Sequence, residues 1–307
     1  MNRCLITYEP CGENVYSETG LRMLSPYLKT LEGLPFSASE LRQEAAQRAT
    51  KLSIQGVQPK LSAILSARNQ QFEIVDQHGN FIIKPQSDIF PELPENEDLT
   101  MRMAKFFGIS VPLHGLVYGK DNSKSYFIKR FDRFGKNRKY ATEDFAQLTG
   151  SSRDTKYNFT MEKVVKVIDE YCTFPSVEKA AFFKRIIFCF ITGNEDMHLK
   201  NFSLMTKSGQ VRLTPGYDLL NSSIAIKNPQ EEMALALKGK KSNFKSGDLI
   251  EYFGKERLQL SDKVIDLTIR KMFDSTPKWN ELIEISFLSS EMKEKYIRLL
   301  TERLSRF

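Results

Sequence analysis

Gly193-Asn194-Glu195-Asp196-Met197-His198-Leu199-Lys200-Asn201 carries more information than any other stretch of this chain. A strongly apolar helical run, 182–192, precedes it. Two short strand patterns, 202–206 and 210–213, come next and lead to Tyr217-Asp218. Asp196, Asn201 and Asp218 are thus set at fixed offsets around one hairpin. Phosphoryl transfer asks for such a set: a carboxylate to take the proton of the incoming hydroxyl, and an amide oxygen plus a second carboxylate to hold Mg²⁺ on the ATP phosphates. Asp196 reads as the base, and Asn201 and Asp218 as the metal pair. The offset from Asp196 to Asn201 equals that in the kinase pattern H-R-D-x-x-x-x-N. Asp, Asn and Gly also crowd into ordinary turns, and His198 and Lys200 alone would be plain loop polars. Asp218 after an apolar strand, and a strand-end lysine far upstream, favour a site.

The 307 residues suffice for a large core, in one two-lobed domain or two small ones. Apolar residues make up 41% and charged ones 27%, as in soluble globular proteins. No segment reaches the ~18 unbroken apolar residues of a membrane span, and the N-terminal MNRCLITYEP lacks a signal-peptide pattern. Four cysteines without C-x-x-C spacing suit a reducing cytosol. Cys189 reads as a core thiol, and Cys4 and Cys11 as at most half a metal site. The net charge of +7 favours a polyanion or an acidic partner but is weak evidence for direct nucleic-acid binding, because the basic residues are spread out.

Along the chain, 5–8 reads as a short strand and 20–29 and 39–50 as helices, with Ser39 as an N-cap. In 52–61, Gly56 lets backbone N–H groups approach phosphate, flanked by Ser53 and Lys60, although the segment matches no standard phosphate-loop motif. Strands at 61–65, 72–75 and 81–84 are expected in meander order, with His78 in an exposed turn. Lys84 either snorkels to the surface or grips ATP phosphates, as the strand lysine of kinases does. A helix over 93–107 comes next. Its Glu97 reads first as a favourable acid near a helix N-terminus, and otherwise as a partner for Lys84. Strands 113–118 and 125–130 complete the β-rich part, with His114 as a core or pocket histidine. The backbone at Lys129 and Phe131 is a candidate adenine contact. Residues 135–139 form a basic loop. Helices are expected at 159–171, 176–192, 246–253, 261–273, 278–287 and 290–304. The composition shift near 130–142 divides the chain into an N-lobe, 1–130, and a helical C-lobe, 131–307.

Five motifs together resemble the HipA family of serine/threonine kinase toxins: Ser53-Ile54-Gln55-Gly56-Val57-Gln58-Pro59-Lys60; Asn80-Phe81-Ile82-Ile83-Lys84-Pro85; Pro94-Glu95-Asn96-Glu97; Arg130-Phe131-Asp132-Arg133; and the 193–201 stretch with Tyr217-Asp218. The resemblance is nearest to the short HipT form. It implies an α+β, protein-kinase-like two-lobed fold with ATP and Mg²⁺ as cofactors. Asp196 would be catalytic, and Asn201 and Asp218 would bind the metal. Gln55, Gly56, Val57, Gln58, Pro59 and Lys60 would form the phosphate loop, and Lys84 would hold phosphates. Lys129, Arg130 and Phe131 would meet adenine, with His198, Lys200 and Tyr217 nearby. Ser53 would be autophosphorylated, and the added charge beside the ATP phosphates would eject the loop.

Some fifty residues precede the phosphate loop, fewer than in full-length HipA. That fits HipT, in which a small HipS-like antitoxin supplies the missing part beside a HipB-like DNA-binding partner. Gln55 excludes the S-x-S double site of some HipT chains, and Lys129 stands where HipA is acidic. The implied activity is a cytoplasmic toxin kinase acting on an aminoacyl-tRNA synthetase, with the tryptophanyl enzyme favoured. DNA would be met only through the partner. The alternatives are a small-molecule or lipid kinase on the same fold, and a non-catalytic co-repressor.

Overall fold

The computed structural model describes residues 1–49, 58–135, 137–151, 157 and 159–307. Two compact units make up the chain. The first comprises Met1–Asp98, Pro112–Arg133 and Ile285–Phe287, and the second Leu99–Val111, Phe134–Glu284 and Leu288–Phe307. Among the described residues no helix is long and apolar enough to cross a membrane.

The first unit opens with α1 (Glu18–Leu24) and α2 (Ala38–Ala49). The expected strand at 5–8 is instead a tight reversal: the Tyr8 N–H donates to the Cys4 carbonyl at 2.9 Å, and Tyr8 has φ +64°. Leu5 and Ile6 are buried through this turn rather than through a strand. α2 starts on Ser37, not Ser39. Ser37 Oγ accepts from the Glu40 N–H, and Glu40 Oε2 accepts from the Ser37 N–H. This reciprocal box needs a Glu three residues after the Ser, which only Ser37 has.

Five strands come next: β1 (Leu61–Ser66), β2 (Gln71–Ile74), β3 (Phe81–Lys84), β4 (His114–Tyr118) and β5 (Lys124–Lys129). They form one antiparallel sheet ordered β2-β1-β3-β5-β4, so the meander expectation fails. β1 buries Leu61 and Ala63 and lies between β2 and β3, whereas β2 (Gln-Phe-Glu-Ile) buries only Phe72 and suits an edge. Gly79 permits the return to β3, because a Cβ there would meet Ser62 Oγ at 1.9 Å. Period-two alternation puts Phe81 and Ile83 on one face and Lys84 on the other. Phe72, Phe81 and Phe127 meet at centroid distances of 5.0–6.2 Å and fill one side of the sheet. Helix α3 (Leu93–Phe107) has the expected bounds, and the division between units falls within it.

After the short hairpin β6 (Arg133–Phe134) and β7 (Arg138–Lys139) come β8 (Thr142–Asp144) and α4 (Phe145–Leu148). The helices α5 (Met161–Tyr171) and α6 (Pro175–Ile191) precede the strands β9 (Ser203–Lys207) and β10 (Gln210–Leu213). The second unit's sheet runs β10-β9-β8, antiparallel throughout. α6 is its central rod: Phe182, Phe183, Ile186, Ile187, Phe188, Phe190 and Ile191 are all buried, consistent with an apolar pattern on more than one face. Cys189 on the same helix is buried too, and burial pushes its thiol up to about 12.

Helix α7 (Ser222–Ala225) and a π-helical segment at Asp248–Arg257, where an ordinary helix was expected at 246–253, lead to α8 (Asp262–Ile285) and α9 (Ser290–Leu304). α8 is continuous through Pro277 where two helices were expected. Ser275 Oγ donates to the Lys271 carbonyl and Thr276 Oγ1 to that of Met272, back-bonds of the kind that accompany a bent helix, in the turn just before the proline. Buried Met272 and Trp279 anchor the helix on either side of it. The Trp279 indole packs against Phe107 and Phe188 and donates to the Met103 carbonyl at 3.0 Å.

Candidate active site

The end of α6 launches the loop of interest. Asn194 N–H donates to the Cys189 carbonyl at 2.9 Å and Gly193 N–H to that of Phe190 at 3.3 Å, the two bonds of a Schellman cap. Gly193 takes φ +68°, and a Cβ there would meet Asn221 Oδ1 at 2.7 Å. The chain therefore leaves a rigid, buried helix at a defined angle.

Asn194 then organises the loop. Its Oδ1 accepts from the Asp196 N–H at 3.3 Å, and its Nδ2 donates to the Asp218 carbonyl at 3.2 Å. One buried side chain thus ties the backbones of the two carboxylate residues together. Asn201 Nδ2 donates to the Asp196 carbonyl at 2.9 Å. That bond orients the amide, turning its oxygen away from the Asp196 backbone. Met197 and Leu199 are buried and pin the loop from below. The Tyr217 hydroxyl donates to the Lys200 carbonyl at 2.9 Å and lies 2.6 Å from Ser203 Oγ. Arg185 on α6 donates to the Thr214 carbonyl at 2.6 Å, securing the chain just before Tyr217-Asp218. Asp218 itself takes φ +52°, a left-handed conformation uncommon outside glycine. Asp196, Asn201 and Asp218 are therefore brought into one locality of the second unit, together with His198, Lys200 and Tyr217. An amide oxygen and a carboxylate are hard donors of the kind Mg²⁺ takes alongside phosphate and water, so the residues present fit that ion.

The Asp196 side chain is 52% exposed, open to a reactant. Its Oδ1 accepts a 2.6 Å bond from the Tyr157 hydroxyl and lies 4.0 Å from His198 Nε2. Neighbouring Glu195 is half-buried. Burial, reinforced by Glu231 and Asp196 against the pull of Arg303, raises its carboxyl to about 7. Between about 4.5 and 7 the native state therefore keeps a proton that the unfolded chain has released, and stability falls as pH rises through that window. Glu195→Gln is expected to stabilise the chain above pH 7 by on the order of 1 kcal/mol after solvent screening, read as a raised melting temperature. No gain is expected at or below pH 4.5. Thermal melts at the two pH values check this.

In the first unit, Lys84 Nζ lies 2.6 and 2.9 Å from the two carboxylate oxygens of Glu97, with the side chains 6% and 1% exposed. The ion pair overturns the first reading of Glu97 as merely a helix-start acid. A lysine on β3 and a glutamate on α3 find each other because both are denied water. The Lys84 ammonium also lies 5.6 Å from the Tyr126 ring centroid. On the same helix Asp98 holds His114 Nδ1 at 2.8 Å, which makes His114 a buried, partnered histidine.

Gln58, Pro59 and Lys60 are half-buried ahead of β1, while Ser53, Gln55, Gly56 and Val57 lie outside the described residues. Lys129 is exposed. Its N–H donates to the Leu113 carbonyl and that of Arg130 to Asn80, so these two backbone donors are already engaged within the first unit. The Arg130 side chain forks onto Asp132 at 3.0 and 2.8 Å. Sequence reasoning missed Tyr157 altogether. It gave Asn194 no role, although an Asx residue two positions before another Asp is a local turn signal that points to one. Among the described residues no group of three or more His, Cys, Asp or Glu could hold a metal ion.

Comparison with known proteins bears on this geometry. Residues 52–279 match the family model described as the HipA-like C-terminal domain. This chain belongs to the HipA-like family. A Haemophilus influenzae protein named as a kinase is 30% identical over 329 aligned residues, covering 97% of this chain and 94% of that protein. The serine/threonine-protein kinase toxin HipA of Shewanella oneidensis is 31% identical over 208 residues, 61% of this chain and 47% of that protein. Among solved structures, the S. oneidensis HipA–HipB–operator DNA complex matches with TM-score 0.67 at 22% identity, over 91% of this chain and 72% of that one. The Helicobacter pylori proinflammatory kinase CtkA matches with TM-score 0.54 at 18% identity, over 80% of this chain and 90% of that one. The HipA-like chain accordingly has a kinase-like α+β fold and has relatives named as kinases, one of them as a kinase toxin.

Proposed function

We propose that this HipA-like chain is a serine/threonine protein kinase that transfers the γ-phosphate of ATP to a protein hydroxyl. The observation that carries the reading is the Asn194 amide, which binds the backbones of Asp196 and Asp218 while Asn201 is tied to Asp196. Asp196 takes the acceptor proton as the hydroxyl oxygen bonds to the γ-phosphorus and the bond to ADP breaks, and Asn201 and Asp218 would hold Mg²⁺. When bound, Mg²⁺ neutralises charge on the phosphate oxygens. Lys84, paired with Glu97, meets the ATP phosphates, and Gln55 to Lys60 serve as the phosphate loop. The carbonyls near Lys129 and Phe131 serve adenine.

Within this reading Ser53 is the chain's own phosphorylation site. The protein acts in the cytoplasm as the toxin of a toxin–antitoxin system, with HipS-like and HipB-like partners. Its substrate is an aminoacyl-tRNA synthetase, the tryptophanyl enzyme first. The kinship with HipA supports the HipB-like partner. The loop sequence Ser53-Ile54-Gln55-Gly56-Val57-Gln58-Pro59-Lys60 supports the choice of enzyme.

The test uses the purified full chain with γ-labelled ATP, Mg²⁺ and cell extract. Label is expected on a synthetase-sized protein band and on the chain itself. The label on the chain should disappear in Ser53→Ala by intact mass, and all label should disappear with a chelator. Label confined to lipid or small molecules, or no label at all, would overturn the proposal.

A further inference from the structure

Asp196 presents two carboxylate oxygens on a torsion with broad, two-fold preferences, and its side chain is half exposed. A base works only when a particular lone pair faces the proton it removes. Some other group must therefore decide which oxygen points at the acceptor. We propose that Tyr157 does so: its hydroxyl engages Asp196 Oδ1 and leaves Oδ2 for the acceptor, which makes Tyr157 a positioning residue for the transfer step. The inference rests on the reading of Asp196 as base.

The geometry has three parts. The Tyr157 hydroxyl donates to Oδ1 at 2.6 Å, the short distance of a hydrogen bond to an ionised acceptor. His198 Nε2 stands 4.0 Å from the same oxygen, so both neighbours crowd Oδ1. The phenol ring is itself fixed: it meets the buried His198 ring edge-on, with centroids 5.1 Å apart at 86°. On another side Lys241 Nζ lies 5.9 Å from the ring centroid, and Lys241 is held by Glu231 at 3.2 Å. His198 lies in the loop that carries Asp196, so the positioning group is braced against the element it positions. Burial and the Asp196 carboxylate both push the phenol above the usual tyrosine range, so it keeps its donor hydrogen in neutral solution.

Tyr157→Phe retains the ring and removes only the hydroxyl. With Mg²⁺–ATP and dephosphorylated casein as the acceptor probe, kcat for transfer is expected to fall by about ten- to a hundredfold, as misdirected reacting groups do. KM for ATP and the melting temperature should stay unchanged. In a double-mutant cycle, Tyr157→Phe should add nothing to Asp196→Asn, because the hydroxyl acts only through that carboxylate. A kcat equal to or above that of the parent chain would overturn the inference, the latter by showing that Tyr157 blocks the acceptor. A lowered melting temperature with a raised KM would overturn it in favour of a scaffolding role. So would additive losses in the cycle. Each of these leaves the kinase reading standing. Absence of transfer by the parent chain to casein, to itself and to extract protein would remove both.

Discussion

Asp196→Asn is expected to lower phosphate transfer by about 10²- to 10⁴-fold, the usual contribution of a positioned base. In activation free energy that is about 3–5 kcal/mol. The substitution preserves shape and leaves an oxygen to accept from Tyr157, while the backbone bonds from Asn201 and Asn194 do not involve the side chain at all. The half-exposed carboxylate contributes little to the core. The melting temperature should therefore match that of the parent chain, and binding of Mg²⁺–ATP should still raise it by mass action. Rates of labelled-phosphate transfer and ATP-dependent melts, run on the same preparation, separate loss of chemistry from loss of fold. An unchanged rate would reject Asp196 as base. A lost thermal response to ATP would mean that the residue belongs to nucleotide binding instead.

The second large effect concerns Lys84 and Glu97. Both side chains are almost withdrawn from water. Glu97→Ala leaves the Lys84 ammonium buried without that partner, and removing one member of such a pair typically costs about 3–5 kcal/mol. A denaturant titration should record a loss of that size. Replacing both, as Lys84→Met with Glu97→Leu, removes both desolvation penalties and is expected to restore most of the stability. Transfer activity should be absent in the double variant, since no cation remains at position 84. Stability that returns without activity would separate the pair's structural contribution from its chemical one. A single variant as stable as the parent chain would show that water reaches Lys84 freely. Exposed pairs such as Lys278–Glu281 should show no comparable loss, because solvent already serves both partners.

How much of this was legible in the residues varies with the range of the interaction. The apolar run of α6, the hairpin of β9 and β10, and the bounds of α3 follow from periodicity and from residues such as Pro94 in the first helical turn. The 196–201 spacing was equally plain, because a turn built from Asp, Asn and Gly is a local object. The strand order of the first sheet was not legible. Which strand occupies the centre depends on which apolar face the whole unit must cover, and β1 took that place over β2. Continuation of α8 through Pro277 was also hidden. A proline argues locally for a break, and only the packing of Met272 and Trp279 argues against it.

Residue types, periods and spacings determined that this chain builds a β-rich part followed by a helical part that carries the Asp- and Asn-rich 193–201 loop, since each of these is written in neighbouring side chains and backbone preferences. Folding alone decided the partners. Glu97 meets Lys84 across 13 positions, Asn194 meets Asp218 across 24, and Tyr157 meets Asp196 across 39. Contacts of that separation arise when a packed core carries distant segments to one place and strips their polar groups of water, and no short window of sequence records where those segments will arrive.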